Sequence, residues 1–201
     1  MRWMTTILLF VLQAAPLPPA YPRPGASTLL ENDRVIVWNI AWLKQQYPLH
    51  RHLYDLVGVY YAPGDRMIIS ADGSKRPVST KAWDTAFQLR GVTHIEEGAS
   101  DVPLRAVFIE MKDDAPRGNR LEPATPSGFP QGGARQFLDN ERVIAWELMP
   151  GSAPQPHRHL LDAVVLSFTG QAPHASFVAR GTVHQDEGTG AAEHSYAFEL
   201  K

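Results

Sequence analysis

The sequence predicts an all-β protein made of two tandem barrel-type units. Two observations favour this fold class: short runs of β-branched and aromatic residues between turn signals, and an ordered internal repeat. After residue 30, no stretch keeps a helical hydrophobic period for three clean turns. Of the 201 residues, 44% are hydrophobic and 20% are charged, so the chain can bury a sizeable core.

The internal repeat consists of three matching blocks, which occur in the same order in both halves of the chain. Matching residues lie 108 positions apart in the first block, 107 in the second and 90 in the third. Insertions and deletions fall only between the blocks, so we interpret the pattern as a duplication. The blocks pair 30–38 with 138–146, 48–55 with 155–162, and 87–98 with 177–188.

Each repeat contains three predicted strands. β-branched and aromatic residues predict the first strand, a short apolar run predicts the second, and a third strand closes the repeat. Asp72 and Gly73 add a two-residue hairpin signal within the first repeat. The predicted strands are 35–42, 56–61 and 104–111 in the first repeat, and 143–148, 163–168 and 195–200 in the second.

The predicted units span residues 30–112 and 138–201, and a linker joins them at 113–137. This linker is rich in proline and glycine and poor in large apolar residues. It is long for a loop inside one compact domain, which favours two joined units over one interrupted unit.

The N-terminus is expected to direct export. Residues 1–20 resemble a signal peptide, because a positively charged start precedes a nine-residue apolar run and then small residues. Nine residues are too few for a transmembrane helix, so no stable membrane span is predicted. Prolines then predict an extended, unpacked lead over residues 21–29. The expected location is periplasmic or secreted. The alternative to a signal peptide is a wrongly assigned start codon or a flexible N-terminal arm.

The composition excludes several classes of function. The net charge is −2 and no long basic run occurs, so no nucleic-acid partner is expected. The chain has no cysteine, which removes disulfide scaffolds, thiolate metal sites and cysteine nucleophiles. The sequence shows no Ser-His-Asp triad, phosphate-binding loop or dinucleotide-binding motif.

Six of the eight histidines occupy equivalent places in the two repeats. Residues two positions apart in a strand share a face, so both members of each His-x-His pair point the same way. A third histidine follows in each repeat, and we therefore predict two three-histidine metal sites. The alternative is that ancestral ligands remain as hydrogen-bonding groups in the core. The predicted ligands are His50, His52 and His94 in the first unit and His157, His159 and His184 in the second.

The histidine pattern resembles the cupin superfamily: His-x-His, a short apolar strand and then Gly-x-x-His in a β-rich unit. The glycines of the first cupin motif are matched by Gly151 and Gly170 in the second unit, whereas the first unit has Lys44 at the first of these positions. Gly91 and Gly181 match the glycine of the second motif. The resemblance implies two small jelly-roll barrels, a bicupin, and a divalent transition metal such as Fe, Mn, Zn, Ni or Cu.

The carboxylate ligand of the cupin motif is missing from its usual place. The position four residues after the second histidine holds Leu56 in the first unit and Ala163 in the second. Asp55 is adjacent, but strand alternation puts it on the opposite face unless a bulge intervenes. Glu96 shares a face with the last histidine, as Asp186 does in the second unit. Glu96 is therefore a candidate for a replacement metal ligand or a general base, and Asp55 is a second acid–base candidate. The alternative for Glu96 is a strand end in solvent.

Two functions are compatible with these motifs. The first is a metal-dependent enzyme of dioxygenase, isomerase or decarboxylase type, acting on a small polar or acidic molecule. The second is a non-catalytic binding or accessory protein of the cell envelope. The first barrel is expected to be the functional one, because the second is 17 residues shorter between its histidine motifs and is therefore reduced. A monomer or a homodimer is expected.

Overall fold

The structure is a computed structural model that describes residues 16–112, 120–122, 127–130, 133–148, 155–185 and 192–201. Within these ranges all regular secondary structure is β-strand, in fourteen strands, and this confirms the predicted fold class. The described residues include no helix long and apolar enough to cross a membrane. Most of the predicted signal peptide, residues 1–15, lies outside the described residues, as does much of the predicted linker.

The first unit has nine strands in two antiparallel sheets. The strands are β1 (Ala26–Glu31), β2 (Val35–Trp42), β3 (His50–Arg51), β4 (Asp55–Ala62), β5 (Gly64–Ile69), β6 (Lys75–Thr80), β7 (Thr85–Gln88), β8 (Thr93–Gly98) and β9 (Leu104–Met111). The larger sheet has the order β1-β2-β9-β4-β7, and the smaller sheet has the order β3-β8-β5-β6. Side chains of both sheets line one cavity between them, which is the interior of the predicted barrel.

The second unit has a counterpart of the larger sheet, but its counterpart of the smaller sheet lacks a hairpin. Its strands are β10 (Arg135–Asp139), β11 (Val143–Leu148), β12 (Asp162–Thr169), β13 (Ala172–Val178) and β14 (His194–Leu200). They are ordered β10-β11-β14-β12-β13, which matches the larger sheet of the first unit strand for strand. A turn at 170–171 joins β12 directly to β13, so the hairpin of β5 and β6 has no counterpart. The prediction of a reduced second copy is confirmed.

The larger sheet of the first unit is buried on both faces. Along β4 every residue is buried: Leu56 and Tyr60 face the barrel interior, whereas Val57 and Val59 belong to a core shared with the second unit. In that shared core, Val57 lies with its own repeat equivalent, Val164. Because equivalent positions of both repeats build the interface, the two units are related by a pseudo-twofold arrangement. Burial from both sides explains why β4 is a continuous apolar run in the sequence.

The predicted unpacked lead at residues 21–29 is wrong. Ala20 and Tyr21 are buried, and β1 begins at Ala26 inside the lead. The Tyr21 ring packs against Trp38, with ring centroids 5.5 Å apart. Prolines do predict an extended chain, but an extended chain that carries an aromatic side chain can bury it on a neighbouring sheet.

The end of the predicted linker also belongs to the fold. The Phe129 ring packs edge-on against Trp146, with centroids 5.6 Å apart, and β10 begins before the predicted unit boundary at 138. Tyr21 is followed by a proline and so is Phe129, and these two aromatic residues are separated by 108 positions, as in the first block of the repeat. The similarity between the two units therefore extends further toward the N-terminus than the three sequence blocks indicate.

Candidate metal centre

The three predicted histidines of the first unit converge. His50 in β3 lies directly opposite His94 in β8, and alternation places His52 on the same face as His50. The Nε2 atoms of His52 and His94 are 3.4 Å apart, and one ring nitrogen of each histidine lies within 4.8 Å of the other two. All three side chains are buried. The structure thus brings the predicted ligands together, and metal binding itself stays a prediction.

Backbone hydrogen bonds hold the two histidine segments together. The amide of His52 donates to the carbonyl oxygen of Val92 at 2.9 Å, and the amide of Gly91 donates to the carbonyl oxygen of His52 at 2.8 Å. Gly91 has a φ of +84°, a left-handed conformation that favours glycine at this turn. The glycine of the Gly-x-x-His motif therefore positions β8 against His52.

Hydrogen bonding also orients His50. Its Nδ1 donates to the carbonyl oxygen of Pro48 at 2.9 Å, so the lone pair is on Nε2. That Nε2 is buried and has no hydrogen-bond partner among the described residues. A buried polar atom without a partner is costly, and coordination of a metal ion by Nε2 would remove that cost.

Burial keeps these imidazoles neutral. It lowers the pKa of His52 to about 3, and the neighbouring His94 adds to this effect. Burial likewise lowers the pKa of His94 to about 4, although the charge of Glu96 opposes the shift. The pKa of His50 is lowered for the same reason. Because an imidazole must be deprotonated to bind a metal, the set fits a divalent transition ion at neutral pH.

The second unit contains the same arrangement. His157 and His184 face each other in an antiparallel bridge, and ring nitrogens of these two residues and His159 lie within 4.8 Å of one another. The Nδ1 of His157 donates to the carbonyl oxygen of Gln155 at 2.9 Å. The Nδ1 of His159 lies 3.2 Å from Oε1 of Glu199, which leaves its Nε2 for the cluster. A carboxylate behind a histidine in this way fixes the tautomer of a metal ligand.

Glu96 is buried in the barrel, so the interpretation as a strand end in solvent is wrong. Its carboxylate accepts hydrogen bonds from Arg23 at 2.6 Å, Trp42 at 3.0 Å and Arg66 at 3.4 Å, and lies 3.9 Å from Nε2 of His94. Burial alone would raise the pKa of Glu96, but the two arginines outweigh it and lower the pKa to about 2. A carboxylate this acidic is a weak general base at neutral pH, and it serves instead to hold both arginines beside the histidines.

The other acidic candidates do not join the described histidines. Asp55 accepts a hydrogen bond from the amide of Arg90 at 2.8 Å and pairs with Arg142 of the second unit at 2.8 Å. Strand β4 pairs with β9 in regular register from Asp55 to Tyr60, and its one irregularity lies between Tyr60 and Ala62, so no bulge turns the Asp55 carboxylate inward. The acid–base role expected for Asp55 at the histidines is therefore corrected. Asp186, the counterpart of Glu96, lies outside the described residues.

Two inward-facing glutamates were missed by the sequence analysis. Glu110 lies directly opposite Leu56 across the β4–β9 pair, and Glu199 lies directly opposite Ala163 across the β12–β14 pair. Each unit thus carries a carboxylate one strand away from the position where the cupin motif has its glutamate. A signal was present in the sequence, because both repeats end in Glu, an apolar residue and Lys.

A tryptophan binds each of these glutamates. Nε1 of Trp38 donates to Glu110 at 2.8 Å, and Nε1 of Trp146 donates to Glu199 at 3.1 Å. Burial raises the pKa of Glu110 to about 7, although the hydrogen bond from Trp38 and the charge of Lys112 oppose the shift. Near neutral pH, Glu110 therefore exchanges a proton inside the barrel.

An aromatic ring covers each histidine cluster and was also missed. The Tyr21 ring stands edge-on to His52, with centroids 6.3 Å apart. In the second unit the Phe129 ring is tilted against His159, with centroids 4.2 Å apart. Both rings come from the segments that the sequence analysis assigned to a lead and a linker, and the aromatic–proline pair is the signal that identifies them.

The first barrel encloses a cavity of about 290 Å³ beside its histidines. Both sheets contribute to the lining, and the β5–β6 hairpin provides four of the side chains. The lining comprises Tyr21, His52, Leu56, Tyr60, Arg66, Ile68, Arg76, Val78, Ala86, Phe87, Gln88, Val92, His94, Glu96 and Phe108. This volume is at the small end of ligand pockets.

No protein-family model and no curated protein matches the chain, but solved structures do. A cupin domain from Bordetella pertussis is similar over 46% of this chain and 99% of its own, with 26% identity and a TM-score of 0.40. A cupin 2 conserved barrel domain protein from Leptotrichia buccalis covers 87% of this chain and 81% of its own, with 13% identity and a TM-score of 0.44. AerE from Microcystis aeruginosa covers 92% of this chain and 97% of its own, with 12% identity and a TM-score of 0.52.

Proposed function

We propose that the chain binds a divalent transition metal and acts on a small polar or acidic molecule. The premise is its all-β, two-unit fold of the cupin superfamily. The ligands are His50, His52 and His94, and the molecule occupies the cavity of the first barrel. One observation carries the proposal: three buried, neutral imidazoles present ring nitrogens to one another within 4.8 Å.

His50, His52 and His94 would hold the ion through neutral imidazoles, so it would keep its full charge. It would then supply Lewis-acid chemistry, attracting carboxylate or enolate oxygens and acidifying water. The protein's own residues prepare this site. Pro48 fixes the tautomer of His50, and Tyr21 covers His52. Glu96 binds Arg23 and holds Arg66 at the cavity. Glu110 is a proton-exchanging group in the same barrel, with a pKa of about 7 set mainly by burial.

The second cluster is proposed to bind metal without forming an enclosed reaction cavity. Its histidines repeat the geometry of the first cluster, but the unit lacks the hairpin that walls the first cavity. A metal site needs a shaped and partly dry cavity for catalysis. The second unit therefore acts mainly as the partner that covers the larger sheet of the first.

Metal analysis of protein prepared without a histidine tag tests the proposal. We expect stoichiometric Fe, Mn, Ni, Cu or Zn in the wild type. His52→Ala should lose the metal of the first unit and His159→Ala that of the second. His174→Ala is the matched control, because His174 is exposed on β13 and belongs to neither cluster. A stable, metal-free wild type that takes up none of these ions contradicts the proposal.

A non-catalytic binding or accessory role in the cell envelope is the second candidate. Leu56 and Ala163 at the usual glutamate positions favour it, because cupins use that carboxylate as a metal ligand. Incubating the metal-loaded protein in air with small carboxylic acids separates the two functions. Conversion of an acid supports the enzyme, and binding of acids that all remain unchanged supports the accessory role.

Export to the periplasm or outside the cell is proposed from the first 20 residues. Expression of the full chain in a bacterial host, followed by N-terminal sequencing of the mature protein, tests it. A processed N-terminus in the periplasmic fraction supports export, and an intact Met1 in the cytoplasm contradicts it. Sedimentation of the same material decides between the proposed monomer and homodimer.

A further inference from the structure

The hairpin present only in the first unit brings two arginines to the cavity. Strands β5 and β6 pair Arg66 with Val78 and Ile68 with Arg76. All four side chains line the cavity together with two of the histidines. The second unit has neither arginine, because its β12 leads directly into β13. Whatever these arginines recognise is therefore specific to the first barrel.

The cavity also offers hydrogen-bond donors. Arg76 lines it from an exposed position, which places this guanidinium at the rim. Gln88 lines it from β7, and its amide nitrogen has no hydrogen-bond partner among the described residues. Arg66 is held in place, because it donates to the hydroxyl of Tyr60 at 2.7 Å and to Glu96 at 3.4 Å. Buried donors that lack a protein acceptor indicate a missing partner that carries oxygen.

The charges at the cavity favour an anion. The charged side chains that line it, among the described residues, are Arg66, Arg76 and Glu96. Arg23 binds the same Glu96 carboxylate at 2.6 Å, so that negative charge is compensated twice. The histidines add no negative charge, and a divalent ion would increase the positive potential. A concave site lined by positive charge concentrates negatively charged ligands.

The rest of the lining favours an anionic ligand that also has an apolar part. Leu56, Ile68, Val78 and Phe108 form the apolar part of the wall. A ligand that fits has a compact hydrocarbon or aromatic part, which gains from burial against these side chains, and an anionic end within reach of an arginine. The volume of about 290 Å³ limits the ligand to a small molecule.

We propose that the first barrel selects small organic carboxylates with an apolar body, and that Arg76 and Gln88 bind the carboxylate. This inference rests on the proposed function, since it names the substrate class for the same cavity. Arg66 supplies a fixed positive charge at the same cavity, and two of the clustered histidines, His52 and His94, line it as well. Arg76 and Gln88 are specificity-determining residues, distinct from the metal ligands.

Titration calorimetry on the full chain, metal-free, tests the inference with three acids and their uncharged amides: benzoate, phenylacetate and hexanoate. We expect the best acid to bind at least about tenfold more tightly than its amide, the size of one charge-assisted hydrogen bond. Higher salt should weaken binding of the acid only. If no acid binds more tightly than its amide at up to millimolar concentrations, the proposal is overturned.

Two neighbouring cations on β6 provide a matched comparison. Arg76→Ala should reduce the affinity for the acid about tenfold and leave that for the amide unchanged. Lys75→Ala removes the same charge from the adjacent exposed position, which does not line the cavity, and should leave both affinities unchanged. Gln88→Leu should weaken the binding of the acid while preserving the fold. Equal losses from Arg76→Ala and Lys75→Ala would contradict a specific carboxylate site.

Metal content, measured on the same proteins before the metal is removed for calorimetry, separates this inference from the proposed function. Stoichiometric metal without preference for any acid overturns the carboxylate site and leaves the metal proposal intact. Preference for acids in a protein that takes up no metal overturns the metal proposal and leaves the carboxylate site intact.

Discussion

Nε of Arg142 in the second unit lies 2.8 Å from Oδ2 of Asp55 in the first unit. Asp55 in turn anchors the loop before β8. The other oxygen of Asp55 accepts the amide of Arg90, and the next residue, Gly91, donates to the carbonyl oxygen of His52. A short chain of contacts therefore links the second unit to the histidine cluster of the first. The pair also explains why Asp55 is unavailable as an acid–base group at the histidines.

The opposite contact exists as well. Nη1 of Arg34 lies 3.0 Å from Oδ2 of Asp162, whose other oxygen accepts the amide of Arg180 at 3.0 Å. Gly181 in turn donates to the carbonyl oxygen of His159 at 2.9 Å. Since these residues are the repeat equivalents of the first set, each unit anchors the histidine loop of the other.

Replacing Arg142 should therefore weaken both the fold and the first histidine cluster. Arg142→Met leaves the buried charge of Asp55 without this partner, and we expect a loss of about 2–4 kcal/mol in the free energy of unfolding. Urea unfolding measures the loss. Metal affinity of the first cluster should fall, while that of the second changes less.

The double variant Arg142→Met with Asp55→Asn is the control. Asn can still accept the amide of Arg90 through its side-chain oxygen, but it carries no charge. We expect it to recover part of the lost stability, because the uncompensated charge causes most of the loss. Equal stability of the wild type and the single variant would show that the pair is not energetically coupled to folding.

The raised pKa of Glu110 predicts that the protein loses stability as the pH rises from about 4.5 to about 7. The folded protein keeps this proton up to about pH 7, whereas the unfolded chain releases it above its ordinary pKa of 4.5. The stability contributed by Glu110 is therefore complete below pH 4.5 and is lost as the pH rises to about 7. Glu110→Gln cannot titrate, so it should be more stable than the wild type at pH 8, by roughly 3 kcal/mol.

Unfolding of metal-free protein at pH 4.5 and at pH 8 measures this difference. The two proteins should have similar stability at pH 4.5. Trp38→Phe is the second variant: it removes a hydrogen bond that lowers the pKa of Glu110. The loss of stability in this variant should therefore extend to higher pH than in the wild type. A constant difference between wild type and Glu110→Gln at both pH values contradicts the raised pKa.

The lowered histidine pKa values predict the reverse dependence at acidic pH. His52 binds its proton only near pH 3 in the folded state, against 6.5 when unfolded, so the unfolded chain binds more protons between these values. Stability of the metal-free protein should therefore fall as the pH drops below about 6.5 and show no dependence on His52 above it. His52→Gln should lower the slope of the unfolding free energy against pH, in the range below about pH 6.5, by about 1.4 kcal/mol per pH unit. An unchanged slope in urea unfolding between pH 4.5 and 6 would falsify this assignment.

The sequence was sufficient to predict the all-β fold in two units and both histidine clusters because their signals are local. His-x-His fixes a shared face by alternation alone, and the missing hairpin is visible as a difference in length. Asp55 was correctly placed on the opposite face by the same rule, although its partner in the second unit was not predictable from the first repeat.

Glu110 was missed because its position depends on register between strands. It is 54 residues from Leu56 in sequence, and only the antiparallel pairing of β4 with β9 brings the two side by side. Tyr21 was missed for another reason: prolines around it indicate an extended chain, and they carry no information on whether a ring is buried. Comparing the segments before both repeats would have paired Tyr21 with Phe129.

Tyr21 is predicted to stabilise the first barrel through its ring and not through its hydroxyl. It is buried against Trp38 and His52, and the second unit uses Phe129 at the equivalent place. Tyr21→Phe should therefore leave the unfolding free energy nearly unchanged. Tyr21→Ala should cost about 3–5 kcal/mol, the range for removing a large buried aromatic ring. It should also expose His52 to water and accelerate the release of zinc from the first cluster to a chelator, with release from the second cluster unchanged. If Tyr21→Phe and Tyr21→Ala lose equal stability, the hydroxyl and not the ring is what holds this segment on the barrel.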